Sequence, residues 1–234
     1  VPGVTSYDDG KPIKCDDSIE GKKNFSNHVG GLVSEGVMAA TMELDRDGLY
    51  ALKSTFFFDD AVVCLGADVL ATSDHFKHVT TAIDQIHLQG KVTTGDNWLH
   101  HADRGYISLD SAPINVTTEL QKGKWDMIDP AFKDKRDEGR VFKCWFEHPV
   151  DGTKSSYAYA LVPNATVKEV SRYAKTISKG DNKAPIKVLR NDSQCQAVRH
   201  GDVITAAFHE AGQYDFDGVS YVADCPSVVI IGEQ

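Results

Sequence analysis

The alternation of apolar and polar positions along this chain is that of many short strands. Residues 37–44 (VMAATMEL) form an apolar run between Gly36 and a polar turn, and residues 49–58 (LYALKSTFFF) follow it. Two such runs around Asp47-Gly48 predict a β-hairpin, because an Asp-Gly pair accepts the left-handed backbone of a tight turn. Residues 61–65 (AVVCL) are too few for a helix and predict a buried strand ended by Gly66. Residues 78–88, 106–109, 116–120, 141–146 and 157–162 continue the series, with turn residues between them. Strands this short and this regularly punctuated indicate a sandwich or a barrel.

Helical pattern is scarce. Residues 129–140 (DPAFKDKRDEGR) are highly charged with few apolar anchors and predict an exposed loop or a short helical turn. Residues 166–174 (TVKEVSRYA) predict a short helix or turn. The polar stretch 175–183 (KTISKGDNK) reads as a linker or domain edge. Beyond it, residues 186–189, 194–199, 203–208, 219–223 and 228–231 predict a small second β-unit. The expected architecture is therefore all-β: a large antiparallel sandwich over 1–174, then a small C-terminal β-sheet domain over 175–234. No internal repeat or low-complexity tract interrupts it.

Composition narrows the partners. The 234 residues carry a formal net charge of −9. That disfavours nucleic acid and anionic membrane surfaces, which need clustered Lys and Arg, but leaves room for an acidic sugar held by a local basic groove. No apolar run reaches the roughly 20 residues of a bilayer span. The chain opens at Val1-Pro2-Gly3 with neither an initiator Met nor a leader pattern, which reads as a processed or truncated start. Cys15, Cys64, Cys144, Cys195 and Cys225 are scattered singly, so a zinc knuckle is not expected, and Cys64 and Cys144 lie in apolar runs as buried thiols. Asn24, Asn115, Asn164 and Asn191 begin short glycosylation sequons, a pattern that also arises by chance.

Candidate chemistry is sparse, with no phosphate loop and no nucleophile elbow. His100 and His101 with Asp103 suggest a metal site. Neighbouring strand positions face opposite ways, however, so they read better as loop histidines beside Trp98. His148 marks a strand end. His28 precedes Gly30 and Gly31, where either a ligand or a tight bend is served by close backbone approach. Glu43, Asp45 and Asp47 offer hard oxygen ligands for a structural Ca²⁺, against the alternative of a solvated hairpin turn. Trp98, Trp125, Tyr106 and Trp145 are candidates to stack on sugar faces. Trp145, between Cys144 and Phe146, reads as core. Trp98 and Trp125, in polar surroundings, are the candidate substrate-binding residues.

Several ordered blocks resemble polysaccharide lyase family 8, which contains chondroitin AC, hyaluronate and xanthan lyases. They are residues 27–44 (NHVGGLVSEGVMAATMEL), 52–60 (LKSTFFFDD), 62–67 (VVCLGA), 80–85 (TTAIDQ), 157–164 (YAYALVPN), 196–200 (QAVRH) and 208–212 (FHEAG). The resemblance implies a secreted or periplasmic enzyme whose α/α-toroid domain precedes these β-domains. It also implies β-elimination at a uronic acid, with the β-domains forming one wall of the substrate cleft. The wording of 56–60 and 64–66 favours chondroitin or hyaluronan over xanthan. The family's catalytic Asn, His, Tyr and Arg belong to the helical domain, and its further Glu to an earlier part of the β-region. No catalytic residue is carried over to this sequence, and this stretch alone is expected to be inactive. No cofactor is implied beyond Ca²⁺, for which Glu43 and Asp45 are the local candidates. The competing expectation is a non-catalytic carbohydrate-binding β-sandwich module.

Overall fold

The computed structural model describes residues 3–10, 26–110, 112–127, 129–179 and 184–232. Cys15 and the Asn24 sequon lie outside the described residues. In chain order the strands are β1 (Thr5–Asp8), β2 (Val29–Ser34), β3 (Val37–Arg46), β4 (Leu49–Phe57), β5 (Val62–Ala71), β6 (His78–His87), β7 (Thr93–Thr94), β8 (Trp98–His101), β9 (Arg104–Ser108), β10 (Asn115–Thr117), β11 (Leu120–Lys124), β12 (Arg136–His148) and β13 (Ser155–Pro163). Helix α1 (Val167–Ser178) comes next. It is followed by β14 (Ile186–Asn191), β15 (Cys195–His200), β16 (Val203–Phe208), β17 (Gly212–Phe216), β18 (Val219–Ala223) and β19 (Ser227–Ile231). The fold is all-β, as the pattern predicts.

The strands make three stacked layers. A large antiparallel sheet in the order β2-β3-β4-β5-β13-β9-β8-β7 lies in the middle. On one face it meets a second sheet, β1-β6-β12-β10, and on the other the C-terminal sheet β14-β15-β16-β19. Alternation along the central strands feeds both interfaces. Tyr157 and Tyr159 of β13 join Phe142, Phe146, Val79 and Ile83 in the first core. Ala158 and Ala160 turn the other way, with Phe56, Val63 and Leu65, against Ile186 and Val198. A strand covered on both faces cannot show hydrophobic-in, polar-out alternation. That is why β5 and β13 are nearly continuous apolar runs. The hairpin β17–β18 closes a third core with Cys195, Phe208, Tyr214 and Phe216.

Gly66 does not end its strand, contrary to the sequence expectation. β5 runs through it to Ala71. A Cβ at Gly66 would lie 2.0 Å from Tyr157 Cε1, so the glycine makes room for a buried ring on the paired strand. Residues 129–140 also depart from expectation. After a short 3-10 turn at Pro130–Phe132, β12 has already begun by Arg136 and pairs with β11 from Lys124↔Arg136 to Leu120↔Arg140. This ribbon projects beyond the sandwich with little covering it, which is why a charged stretch can be a strand. Trp145 is not a core residue, contrary to the sequence expectation. Phe142, Cys144, Phe146 and His148 point inward, while Trp145 faces outward under Lys143 and donates to Glu147 Oε2 at 3.0 Å.

The helix forms where the capping chemistry is present. Thr166 and Glu169 make a reciprocal capping box, and Val170 and Ala174 bury one face against β8 and β9. Gly105 permits that approach, since a Cβ there would lie 2.3 Å from Val170 Cγ2. The helix continues to Ser178, so the expected linker begins inside its last turn, and residues 180–183 lie outside the described residues.

Candidate functional site

The side chains with the most chemical potential are used between layers. Three polar connections cross the first sandwich interface. In the first, the register between β12 and β6 shifts between Cys144 and Trp145, leaving Ile83 of β6 as the extra residue, so that Ile83 and Asp84 both turn inward. There Asp84 Oδ2 accepts from Tyr106 Oη at 2.5 Å and from Arg104 Nη1 at 3.3 Å, both on β9. Tyr106, a candidate for stacking on sugar, is fully buried, and burial followed by the Asp84 hydrogen bond holds its hydroxyl protonated far above the usual range.

In the second, His101 of β8 lies 4.2 Å from the Phe142 ring and its Nε2 accepts from Gln89 N at 2.9 Å. His100 faces the opposite way, with Nε2 bonded to Ala165 O at 2.7 Å. Both are buried strand residues rather than loop histidines, and their opposed directions prevent a shared ion.

The third is a chain of hydrogen bonds. Thr5 Oγ1 meets Thr81 Oγ1 at 2.8 Å, Thr81 Oγ1 meets His148 Nε2 at 2.8 Å, and His148 Nδ1 meets Ser155 Oγ at 3.0 Å. Burial pushes His148 down from 6.5 to about 4. His209, near Gln196, is pushed down to about 4 by burial and by His28. Such groups bind protons in the unfolded chain before they do so in the folded one. Their contribution is whole above about pH 6.5 and is lost as pH falls through about 4. The melting temperature is therefore expected to drop across that window, and His148→Gln to flatten the drop. Equal pH slopes in parent and variant would show that His148 is not the group responsible.

The C-terminal sheet is held to the central one in the same manner. Ser54 Oγ donates to Gln196 Oε1 at 2.6 Å. Asn191 Nδ2 donates to Gly66 O and Tyr157 O at 3.2 and 3.1 Å, so the amide of this sequon is engaged in the fold. His28 stands edge-on to His209 with ring centroids 5.5 Å apart, placing it at this same junction.

The three candidate calcium ligands are not gathered. Glu43 and Asp45 share a face of β3, as alternation requires, but Glu43 accepts from Asn27 N at 2.6 Å and from Tyr50 Oη at 3.0 Å. Burial and that carboxylate push the Tyr50 hydroxyl up to about 12. Asp47 sits in the turn at φ 54, beside Arg46 and the Tyr7 hydroxyl. Among the described residues no group of three or more His, Cys, Asp or Glu could hold a metal ion. Glu43 and Asp47 thus serve the hairpin and its neighbours.

Trp98 and Trp125 are not brought to one site. Trp98, on β8, packs partly against the α1 core and lines a surface depression of about 930 Å³ with the helix. Trp125 lies at the end of the β11–β12 ribbon, 38% exposed, with Lys135 Nζ 4.8 Å from its ring centroid. The ribbon surface beside it holds a second hollow of about 280 Å³. Trp145, the third tryptophan among the sequence candidates, also faces outward, with Lys143 Nζ 4.9 Å from its ring centroid. The layer contacts of Asp84 and Gln196 carry no sequence signal, because each depends on a partner far along the chain.

Known proteins share this arrangement. Residues 1–174 match the family model described as polysaccharide lyase family 8, super-sandwich domain. Residues 187–234 match that described as polysaccharide lyase family 8, C-terminal beta-sandwich domain. Chondroitinase-AC of Pedobacter heparinus is 34% identical over 252 aligned positions, covering 99% of this chain and 34% of the relative. Hyaluronate lyase HylB of Enterococcus faecalis is 26% identical over 204 positions, covering 73% and 20%. Among solved structures, a chondroitinase AC lyase studied as oligosaccharide complexes superimposes with a TM-score of 0.85 at 30% identity, over 99% of this chain and 36% of that one. The Streptomyces coelicolor A3 chondroitin AC lyase with chondroitin sulphate gives 0.83 at 26%, over 100% and 31%. The chain spans about a third or less of the length of these relatives. Two family matches in chain order, and a shared three-layer fold, carry one conclusion: the chain belongs to polysaccharide lyase family 8.

Proposed function

We propose that this chain is the β-portion of a polysaccharide lyase that cleaves a uronic-acid-containing glycosaminoglycan, chondroitin or hyaluronan, by β-elimination. In that reaction a base removes the C5 proton, donors stabilise the anion derived from the carboxylate, and an acid protonates the departing glycosidic oxygen. The observation that carries the reading is the superposition of 99% of this chain on 36% of a chondroitinase AC lyase. The inward histidines, tyrosines and Asp84 are engaged in layer contacts, which supports leaving the proton transfers to the part of the enzyme that accompanies these layers. Edge strand β2, exposed at all six positions including Val29, Leu32 and Val33, suits a surface that packs against that companion part. The β-layers then buttress a helical domain and form one wall of the cleft. Trp125 is a stacking platform for sugar rings at the ribbon. A polymeric substrate too large to cross a membrane places the enzyme outside the cytoplasm.

The full-length polypeptide containing this chain is expected to release unsaturated uronide, read as a rise in ultraviolet absorbance, from chondroitin or hyaluronan. The isolated chain is expected to release none. Robust release by the isolated chain would overturn the assignment of the chemistry to the companion part, and no release by the full-length protein would overturn the lyase reading.

A further inference from the structure

The outer face of α1 carries a stripe of cations that make no salt bridge among the described residues. Lys168, Arg172, Lys175 and Lys179 are all exposed. At about 100° per residue they fall within roughly 60° of one another and span about 16 Å of helix. The buried positions Val170 and Ala174 lie on the opposite side, so the stripe faces solvent. None of the four cations makes a salt bridge among the described residues, although the whole chain carries a net charge of −9. Glu169, the acidic residue of the helix's first turn, is bonded to the cap and lies within electrostatic reach of Arg172 alone of the four.

Helix electrostatics does not account for the stripe. Lys175 and Lys179 suit a helix C-terminus, but Lys168 lies in the first turn, where the macrodipole disfavours a cation. Trp98 adds the second element. It lines the same depression as Lys168, Arg172, Lys175 and Lys179, and an indole beside a row of cations pairs an apolar face with charge. A nucleic acid also offers regularly spaced anions, yet the overall negative charge would repel a long duplex. A linear acidic polysaccharide presents both carboxylate or sulfate groups for the cations and pyranose faces for the indole.

We infer that α1 and Trp98 form a binding surface for an acidic polysaccharide, the cations of the helix pairing with its anionic groups and Trp98 with a sugar face. The inference rests on the proposed substrate class, and its test is separable from the test of lyase activity. The full-length protein is applied in the cold to immobilised chondroitin sulfate, to neutral dextran and to duplex DNA, and elution salt is measured. Replacing Lys168, Arg172, Lys175 and Lys179 together by Gln is expected to shift elution from chondroitin sulfate to clearly lower salt. By analogy with counterion release from nucleic acids, the slope of log Kd on log salt should become shallower by about 3. Lys168→Arg with Lys175→Arg and Lys179→Arg is expected to retain binding, and Trp98→Ala to weaken it about tenfold. Circular dichroism confirms that each variant is folded. An unchanged salt slope in the Gln variant would overturn the proposal. Retention on duplex DNA equal to that on chondroitin sulfate, and equally insensitive to Trp98→Ala, would overturn the assignment to a polysaccharide. If no substrate is cleaved but the salt slope changes as expected, the lyase reading fails and the binding surface stands.

Discussion

Gly66→Ala is expected to destabilise the chain by about 3 kcal/mol, the upper end of the range for overpacked cores. The added methyl would lie 2.0 Å from Tyr157 Cε1 and 2.3 Å from Cζ, well inside contact distance. Tyr157 cannot swing away, because it is 1% exposed and packed against Phe146 with ring centroids 5.8 Å apart. The backbone cannot easily yield either. β5 is held by β4 on one side and β13 on the other, and Asn191 of the C-terminal sheet binds the Gly66 carbonyl. The change therefore strains both interfaces of the central sheet. In a Tyr157→Ala background the cost of Gly66→Ala should fall to less than half, since the ring is what the methyl meets. Denaturant unfolding of the four proteins measures this coupling. Additive effects would show that the glycine serves the backbone rather than the ring.

Asp84→Ala is expected to cost about 3 kcal/mol, because it leaves the Tyr106 hydroxyl without its acceptor inside the sandwich and removes one of the two carboxylates beside Arg104. Arg104 is 41% exposed and can be rehydrated, so the buried phenol carries most of the loss. Asp84→Asn keeps an acceptor for Tyr106 and should cost less than half as much. Tyr106→Phe together with Asp84→Ala should recover part of the loss, since the phenol that would lack an acceptor is removed along with the carboxylate. Equal destabilisation by Ala and Asn would refute the hydrogen-bond account and assign the effect to charge alone.

These two positions illustrate where local pattern and tertiary structure part. Period-two alternation is a property of neighbouring residues, so it places strand segments well. The hairpin at Asp47-Gly48, the run of 157–162 and the five C-terminal strand segments are each found where the pattern predicts them. Register is different, because it depends on a partner strand far along the chain. The extra residue Ile83 in β6, opposite Cys144 and Trp145, sends Asp84 inward, and Trp145 lies outward between two inward neighbours. A sequence window shows Cys144-Trp145-Phe146 as three apolar residues without saying which face is covered. Gly66 similarly looks like a terminator until the Tyr157 ring, 91 positions later in the chain, is seen to occupy its missing side chain.

For the candidate sites the division follows the same physics. The residues by themselves determined an all-β chain, its family resemblance, and two tryptophans in polar surroundings. They could offer Glu43, Asp45 and Asp47 as ligands only by proximity in sequence, and the fold committed Glu43 to Asn27 and Tyr50 instead. Only the tertiary structure decided that His100, His101 and His148 serve the layers, because burial depends on what packs over a strand. It also decided that Trp98 shares a surface with the cations of α1, because a helix face becomes an outer surface only once the opposite face is buried.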